Sequence, residues 1–574
     1  MKIETLNTDI LILGAGGAGL MAALHAQTHA PSLDITVVVK GLLGQSGCTR
    51  MVQGGYNAVL NPADSFERHF ADTIRGGAFL NDQELAWLLV TQAPKRVIEL
   101  ENRVGCMFDR NPDGTVHQKP FAGQSFDRTV HRGDLTGIEI MSNLRDYILE
   151  SPIRVLEETR GLELLKVGDR VTGALLLESR TGKFIAVTAR AVLLATGGGA
   201  RMYRISSPSL EKSGDGMAMA WRAGAAFSDT EMLQFHPTGL LVGKSIATGG
   251  LLEEGLRGAG AWLINGLGER FMERYDPKLE RATRDVVSRS SYIEIMAGRG
   301  SPHGGVWIDA RHMGEAFLLE NFPGMVERCA DNGFDLLRDR VEVSPSAHFQ
   351  MGGVHIDLEC RSSLEGLFAA GEDASGVHGA NRLGGNGVAD SIVFGAHAGD
   401  VMSQSLPPDV RARSSEVEIR EICESWSAPL RLTGGEHPNT LRREVENLMW
   451  QKVGLVRNGE DLSTALDELA ILGERAARQS ANPQTAFNLE WNEALDVMNI
   501  CTNAQLVARG ALLRKESRGS HFRSDFPKPN PEWLKRIRLV KNGEDVDVSY
   551  LPVKFTRMTP PELQPAEAVA ASRT

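Results

Sequence analysis

The sequence predicts an α/β fold assembled from pieces far apart in the chain, with a helical domain after it. Three observations carry this. The chain opens with a buried-strand run, Asp9 to Leu13, followed by the glycine loop "GAGGAG", a helical stretch from Leu20 to Thr28 and a second strand from Ile35 to Val39, which is the pattern of a βαβ unit. Two further strand runs end in glycines, "RAVLLATGGGA" (190–200) and "GLFAAGE" (366–372). From about Arg411 the apolar spacing changes to three and four residues, in "LRREVENLMWQKVGLV" and "LSTALDELAILGERAARQ".

Ligands of α/β sheets bind at the carboxyl ends of strands, where these glycine turns fall, so the three pieces are read as one discontinuous sheet. This divides the chain into a nucleotide-binding domain over 1–235 and 345–405, a mobile α+β capping domain over 236–344, a helical domain over 411–525 and a C-terminal segment over 526–574. The last segment holds proline clusters, a strand-like "DVSYLPVKF" and an Ala-rich end expected to fray.

A chain of 574 residues with net charge −11 and 42% hydrophobic residues is an ordinary acidic globular protein, without the basic stripe of a nucleic-acid binder. Its six cysteines are dispersed with no C-x-x-C pair, so neither an iron–sulfur cluster nor a zinc site is encoded locally, and no metal is expected. No export signal is evident, and no apolar run reaches the ~18 residues that span a bilayer. A cytoplasmic location is expected, with any membrane contact made on the inner face through a partner.

Within "GAGGAG", Gly14, Gly16 and Gly19 match G-x-G-x-x-G between an apolar strand and a helix, the Rossmann-like arrangement in which backbone N–H groups approach a pyrophosphate. Lys40 stands where many such folds place a ribose-binding carboxylate, which argues against a plain NAD site.

Beyond these local signals, the ordered series "KPFAGQSFDRTVHRGDLTG", "SGDGMAMAWRAGA", "LQFHPTGL", "EEGLRGAGAWLINGLGERFM", "RATRDVVSRS", "AHFQMGGV", "AAGEDASGVHGANRLGGNGVADSIVFG" and "KESRGSHFRSDFP" resembles the flavoprotein subunit of succinate dehydrogenase and fumarate reductase, a family that includes L-aspartate oxidase. The resemblance spans roughly residues 5 to 540. It implies an FAD-binding domain interrupted by a capping domain and followed by a helical domain. FAD contacts are then expected at Gly14, Ala15, Gly16, Gly17, Ala18 and Gly19, along Lys40, Gly41, Ser46, Gly47, Cys48, Thr49, Gly54 and Gly55, and at Asp215, Glu372, Gly387 and Val388. The resemblance places substrate binding on His236, His348 and Arg382, proton delivery on Arg284, and a proton relay on Glu254 and Arg257.

The residue types suit the chemistry. Hydride transfer beside a carboxylate builds enolate-like charge on a dicarboxylate. Arg382 offers a planar fork to one carboxylate, and the two histidines donate hydrogen bonds to carboxylate oxygens. Arginine is an unusual acid, and Glu254 as its proton partner would make transient proton passage feasible.

Two positions depart from the family pattern. Glu253 replaces a threonine that helps bind a substrate carboxylate, which leaves the exact C4 dicarboxylate open. Cys48 replaces a histidine that bonds to FAD in membrane-bound members. It is read as a small buried filler with FAD held non-covalently, a cysteinyl thioether being the alternative. Loss of the histidine implies a bias to fumarate reduction. The chain encodes no electron carrier of its own, so an iron–sulfur partner subunit or a soluble donor is expected to supply electrons. An L-aspartate oxidase-like activity is the alternative, weakened by Gln124 where the oxidase presents an acidic residue, and a non-catalytic flavin-binding protein is the third reading.

Overall fold

The computed structural model describes residues 3–121, 123–252, 254–406 and 414–563. Glu253, the first three residues of the expected helical domain and the Ala-rich end from 564 lie outside the described residues.

A five-stranded parallel sheet forms the centre, in the order Leu367–Ala369, Ala191–Leu194, Ile10–Leu13, Ile35–Val38 and Arg154–Leu156. The three runs expected to share one sheet do so. Ile10–Leu13, Ile35–Val38 and Ala191–Leu194 are buried along their whole length, as strands covered on both faces must be.

Helix Gly17–His29 follows the glycine loop and packs closely on helix Asn386–Gln404. The close approach depends on small residues. A side chain at Gly395 or Gly399 would strike the backbone of Ala18 or Ala22. Both helices therefore run parallel, with their N-terminal ends directed to the same side of the sheet.

A second sheet, in the order Ile3–Asn7, Lys183–Thr188, Arg170–Glu178 and Thr159–Val167, lies outside the sequence expectations. In the inserted region, strands Leu233–Leu240 and Val341–Gln350 pair antiparallel, and Val306–Asp309 and Trp262–Ile264 complete the sheet. The long pair begins at 233 and ends at 350, and its register is interrupted around Phe235 and His236. The irregularity re-aims side chains near the site, a common use of bulges.

Helices Pro438–Lys452, Gly459–Ala476 and Leu489–Leu513 pack together through Leu448, Leu469 and Ile500, and the same core includes Tyr203 and Phe235. Asn458 and Asn488 cap two of these helices by accepting from backbone N–H groups. Near the end of the described chain, Lys535–Asn542 and Asp545–Pro552 form a hairpin, and the first of these strands also pairs with Phe227–Ser228. Among the described residues, no helix is long and apolar enough to cross a membrane.

Candidate active site

A cavity of about 310 Å³ lies at the carboxyl ends of the central strands. It is lined by Gly14 through Ala18, Lys40, Gly41, Ser46 through Thr49, Gly54, Gly55, Asp215, Glu372, Gly387 and Val388, and also by His236, Glu254, Arg284, His348 and Arg382. Gly19 and Arg257 stand behind its wall. Gly19 packs against the Gly14 carbonyl, where any side chain would collide.

Helices Gly17–His29, Asp215–Ala223 and Asn386–Gln404 all start at this cavity, and none is capped by the side chain of its own N-cap residue; the Gly17 N–H donates to Thr49 Oγ1 at 3.1 Å and the Gly216 N–H to Thr196 Oγ1 at 3.0 Å. Gly14 has φ of +114°, a conformation suited to glycine. The remaining N–H groups and the positive dipole ends of these helices point at one space, which fits the anionic pyrophosphate of a dinucleotide. The residues present therefore fit FAD.

Deeper in the same wall, ion pairs fix the charged groups. Lys40 Nζ lies 3.1 Å from Asp215 Oδ2 and 2.6 Å from Asp496 Oδ1, and Arg160 Nη2 lies 2.9 Å from Asp215 Oδ1 and 2.7 Å from Asp496 Oδ1. Burial would raise the Asp215 pKa, but Arg160 and Lys40 hold it well below the usual carboxylate range. Lys212 pairs with buried Glu372, whose Oε1 also accepts from the Gln350 N–H at 2.8 Å. Burial pushes the Glu372 pKa up, and Lys212 only partly opposes this.

The catalytic candidates form one connected array. Arg284 opens helix Arg284–Glu294, a position where the helix dipole disfavours a cation by about 0.3–1 kcal/mol. Its compensation is Glu254, whose Oε2 lies 2.9 Å from Arg284 Nε and 2.7 Å from Nη2. The other oxygen of Glu254 accepts from Arg257 Nη2 at 3.1 Å. Burial would raise the Glu254 carboxyl pKa, but Arg284 and Arg257 overcome it and keep the group below its ordinary value. Arg257 is 1% exposed and donates from Nη1 to the Glu280 carbonyl at 2.6 Å.

Gln234 joins the two arginines that face the cavity. Its Oε1 accepts from Arg284 Nη1 at 3.2 Å and from Arg382 Nη2 at 3.2 Å. Its Nε2 donates to Asn381 Oδ1 at 2.7 Å and to the Arg382 carbonyl at 2.8 Å, which fixes the amide orientation. The Arg382 guanidinium also lies 4.4 Å over the Phe349 ring. Burial, then the neighbouring Arg284, lower the Arg382 pKa, a strain that a bound carboxylate would relieve.

His236 and His348 face each other with ring centroids 5.6 Å apart. The Thr238 N–H donates to His236 Nδ1 at 3.3 Å, so Nε2 carries the ring proton. Burial, followed by the surrounding cations, lowers both histidine pKa values well below the ordinary range. Both rings are neutral donors near neutral pH.

Lys212, Gln234, Arg160 and Asp496 are site residues that the sequence does not single out. Gln234 lies inside "LQFHPTGL" and Lys212 one residue before "SGDG", so the motifs put both within reach. Arg160 and Asp496 meet across more than 300 residues of chain and carry no local signal. Gln124 donates to Asn57 Oδ1 at 2.9 Å and is not among the residues lining the cavity.

The glycine loop and the buried Arg257–Glu254–Arg284 contacts at one cavity are the features of an FAD-dependent oxidoreductase. Residues 9–388 match the FAD binding domain family, and residues 442–569 match the family described as fumarate reductase flavoprotein C-term. A CoM/CoB-type fumarate reductase chain of Methanothermobacter marburgensis is 41% identical over 95% of this chain and 99% of its own length. The fumarate reductase flavoprotein subunit of Escherichia coli is 33% identical over 97% and 96%. Among solved structures, E. coli quinol fumarate reductase superposes with a TM-score of 0.91 at 32% identity, covering 97% of this chain and 98% of that one. The chain belongs to the fumarate reductase and succinate dehydrogenase flavoprotein family.

Proposed function

We propose that the protein interconverts fumarate and succinate, or a closely related C4 dicarboxylate, with a bias to fumarate reduction and with Arg284 as proton donor and acceptor. The observation that carries this is the unbroken contact series Arg257–Glu254–Arg284, which ends in a cavity shared by His236, His348 and Arg382. FAD, when bound, supplies the hydride at its N5. Arg382 binds one substrate carboxylate, while the neutral histidines donate to carboxylate oxygens without the desolvation cost of two further charges. Arg284 holds a proton against the substrate carbon, and Glu254 returns one to it. Gln234 keeps both guanidinium groups aimed inward.

Cys48 lines the cavity, and burial raises its thiol pKa, which disfavours the thiolate a thioether bond would require. This supports non-covalent FAD and, with the tethering histidine absent, a lower flavin potential and the reductive bias. Relatives are named as subunits, and their names include quinol-, 8-methylmenaquinol- and CoM/CoB-linked enzymes. The electron source is accordingly assigned to a partner, either an iron–sulfur protein or a soluble donor, on the cytoplasmic face of any membrane complex.

The test is purified FAD-loaded protein assayed with fumarate plus reduced viologen, and separately with L-aspartate plus O₂. Viologen oxidation with fumarate supports the reading. Turnover only with aspartate, yielding peroxide and iminosuccinate, overturns it.

A further inference from the structure

On the helix pair behind the cofactor loop, three side chains able to bind a metal converge. His25 and His29 lie four residues apart on helix Gly17–His29, so they share a face, and Asp400 comes from the adjoining helix Asn386–Gln404. Asp400 Oδ1 lies 2.8 Å from His25 Nδ1 and 2.8 Å from His29 Nε2, and the three donor atoms all lie within 4.8 Å of one another. Behind the His25 ring, Nε2 lies 3.1 Å from Glu99 Oε2, the carboxylate–imidazole contact that orients metal-binding histidines. His25 is buried, Asp400 partly buried and His29 exposed, so the cluster opens to water on one side.

We propose that His25, His29 and Asp400 bind one divalent transition-metal ion, Zn²⁺ being the best match to two imidazoles and a carboxylate with an open water position. Ligands about 2.0–2.2 Å from zinc stand farther apart than the present contacts, so the ion enters by a small outward movement of His29 and Asp400, the two more exposed groups. The His25 proton then resides on Nε2, facing Glu99. Arg96 Nη1, now 2.6 Å from that nitrogen, is itself a donor and has to swing off the ring when Nε2 carries the proton, keeping its 2.7 Å contact with Glu99. The cysteine spacing that led to an expectation of no metal does not bear on this site. Because the N-termini of both helices line the cofactor cavity, the ion would pin together the pair that presents Ala18 and Val388 to it.

The experiment is calorimetric titration of Zn²⁺ into chelator-treated, FAD-loaded protein, with Co²⁺ absorption as a second readout, for wild type, His29→Ala and Asp400→Asn. Neither residue touches the cavity, and flavin absorbance reports that each variant remains folded. The expected result is about one Zn²⁺ per chain, a raised Tm with metal, and about 100-fold or greater weakening in both variants. No saturable uptake by wild type, or unchanged uptake in both variants, would overturn the site.

Discussion

Gln234 Oε1 lies 3.2 Å from both Arg284 Nη1 and Arg382 Nη2, so a single neutral acceptor sets the direction of two cations. A hydrogen bond to a charged group contributes about 1.5–3 kcal/mol. Gln234→Leu is therefore expected to lower kcat/KM for fumarate by about 10- to 100-fold with FAD content unchanged. Gln234→Glu is expected to raise KM more than it lowers kcat, because its carboxylate competes with substrate for the same guanidinium groups. Steady-state kinetics on both variants checks the two outcomes.

Glu254 is the carboxylate that touches both Arg257 and Arg284 in the proposed relay. Glu254→Gln keeps the shape and removes the proton carrier. The expected effect is a fall in kcat of about 100-fold or more with little change in KM, the signature of an interaction needed in the transition state. A raised KM at unchanged kcat would assign Glu254 to binding instead.

The histidine environment makes a pH prediction. Burial and neighbouring cations lower the pKa values of His236 and His348, so protonation belongs to acid pH and both rings stay neutral as pH rises through 6.5. The kcat/KM profile of the FAD-loaded enzyme should then show no inflection near the ordinary histidine pKa of about 6.5. A break there that vanishes in His348→Gln would contradict the neutral-donor assignment.

Lys212 and Glu372 are both buried and paired. Removing one partner of a buried pair costs about 3–5 kcal/mol because the other charge is left alone. Lys212→Met is expected to lower Tm and weaken FAD retention, and Lys212→Met combined with Glu372→Gln to recover most of the Tm. Thermal melts with flavin fluorescence measure both.

Cys48 provides a separate check on the cofactor. Denaturing electrophoresis should release all flavin from the chain, and intact mass should equal that of the polypeptide alone. Flavin fluorescence that travels with the chain, and is lost in Cys48→Ser, would show a thioether.

Four strands of the parallel sheet were legible because they are apolar runs that end at or near glycines, both local signals, whereas the fifth, Arg154–Leu156, is short, partly exposed and followed by no glycine, and was not read. Contacts of Gly14 with the strand end and of Gly395 with Ala18 follow from the same absence of a side chain. The second sheet is harder to see, although its hairpin, Thr159–Val167 with Arg170–Glu178, carries a turn signal at Gly168 and Asp169. The catalytic array becomes legible only through the ordered motifs, since Glu254, Arg284 and Arg382 mean little singly. Arg160 with Asp496 is invisible in the sequence, because their ion pair exists only after the helical region folds onto the cofactor domain.

Arg284, held by Glu254, is the proposed proton carrier. The most direct measurement is fumarate reduction with reduced viologen by Arg284→Ala, alongside dye reduction of its flavin without fumarate. Turnover should fall by about 10³-fold or more with FAD content and flavin reduction intact. Turnover equal to wild type would contradict that role.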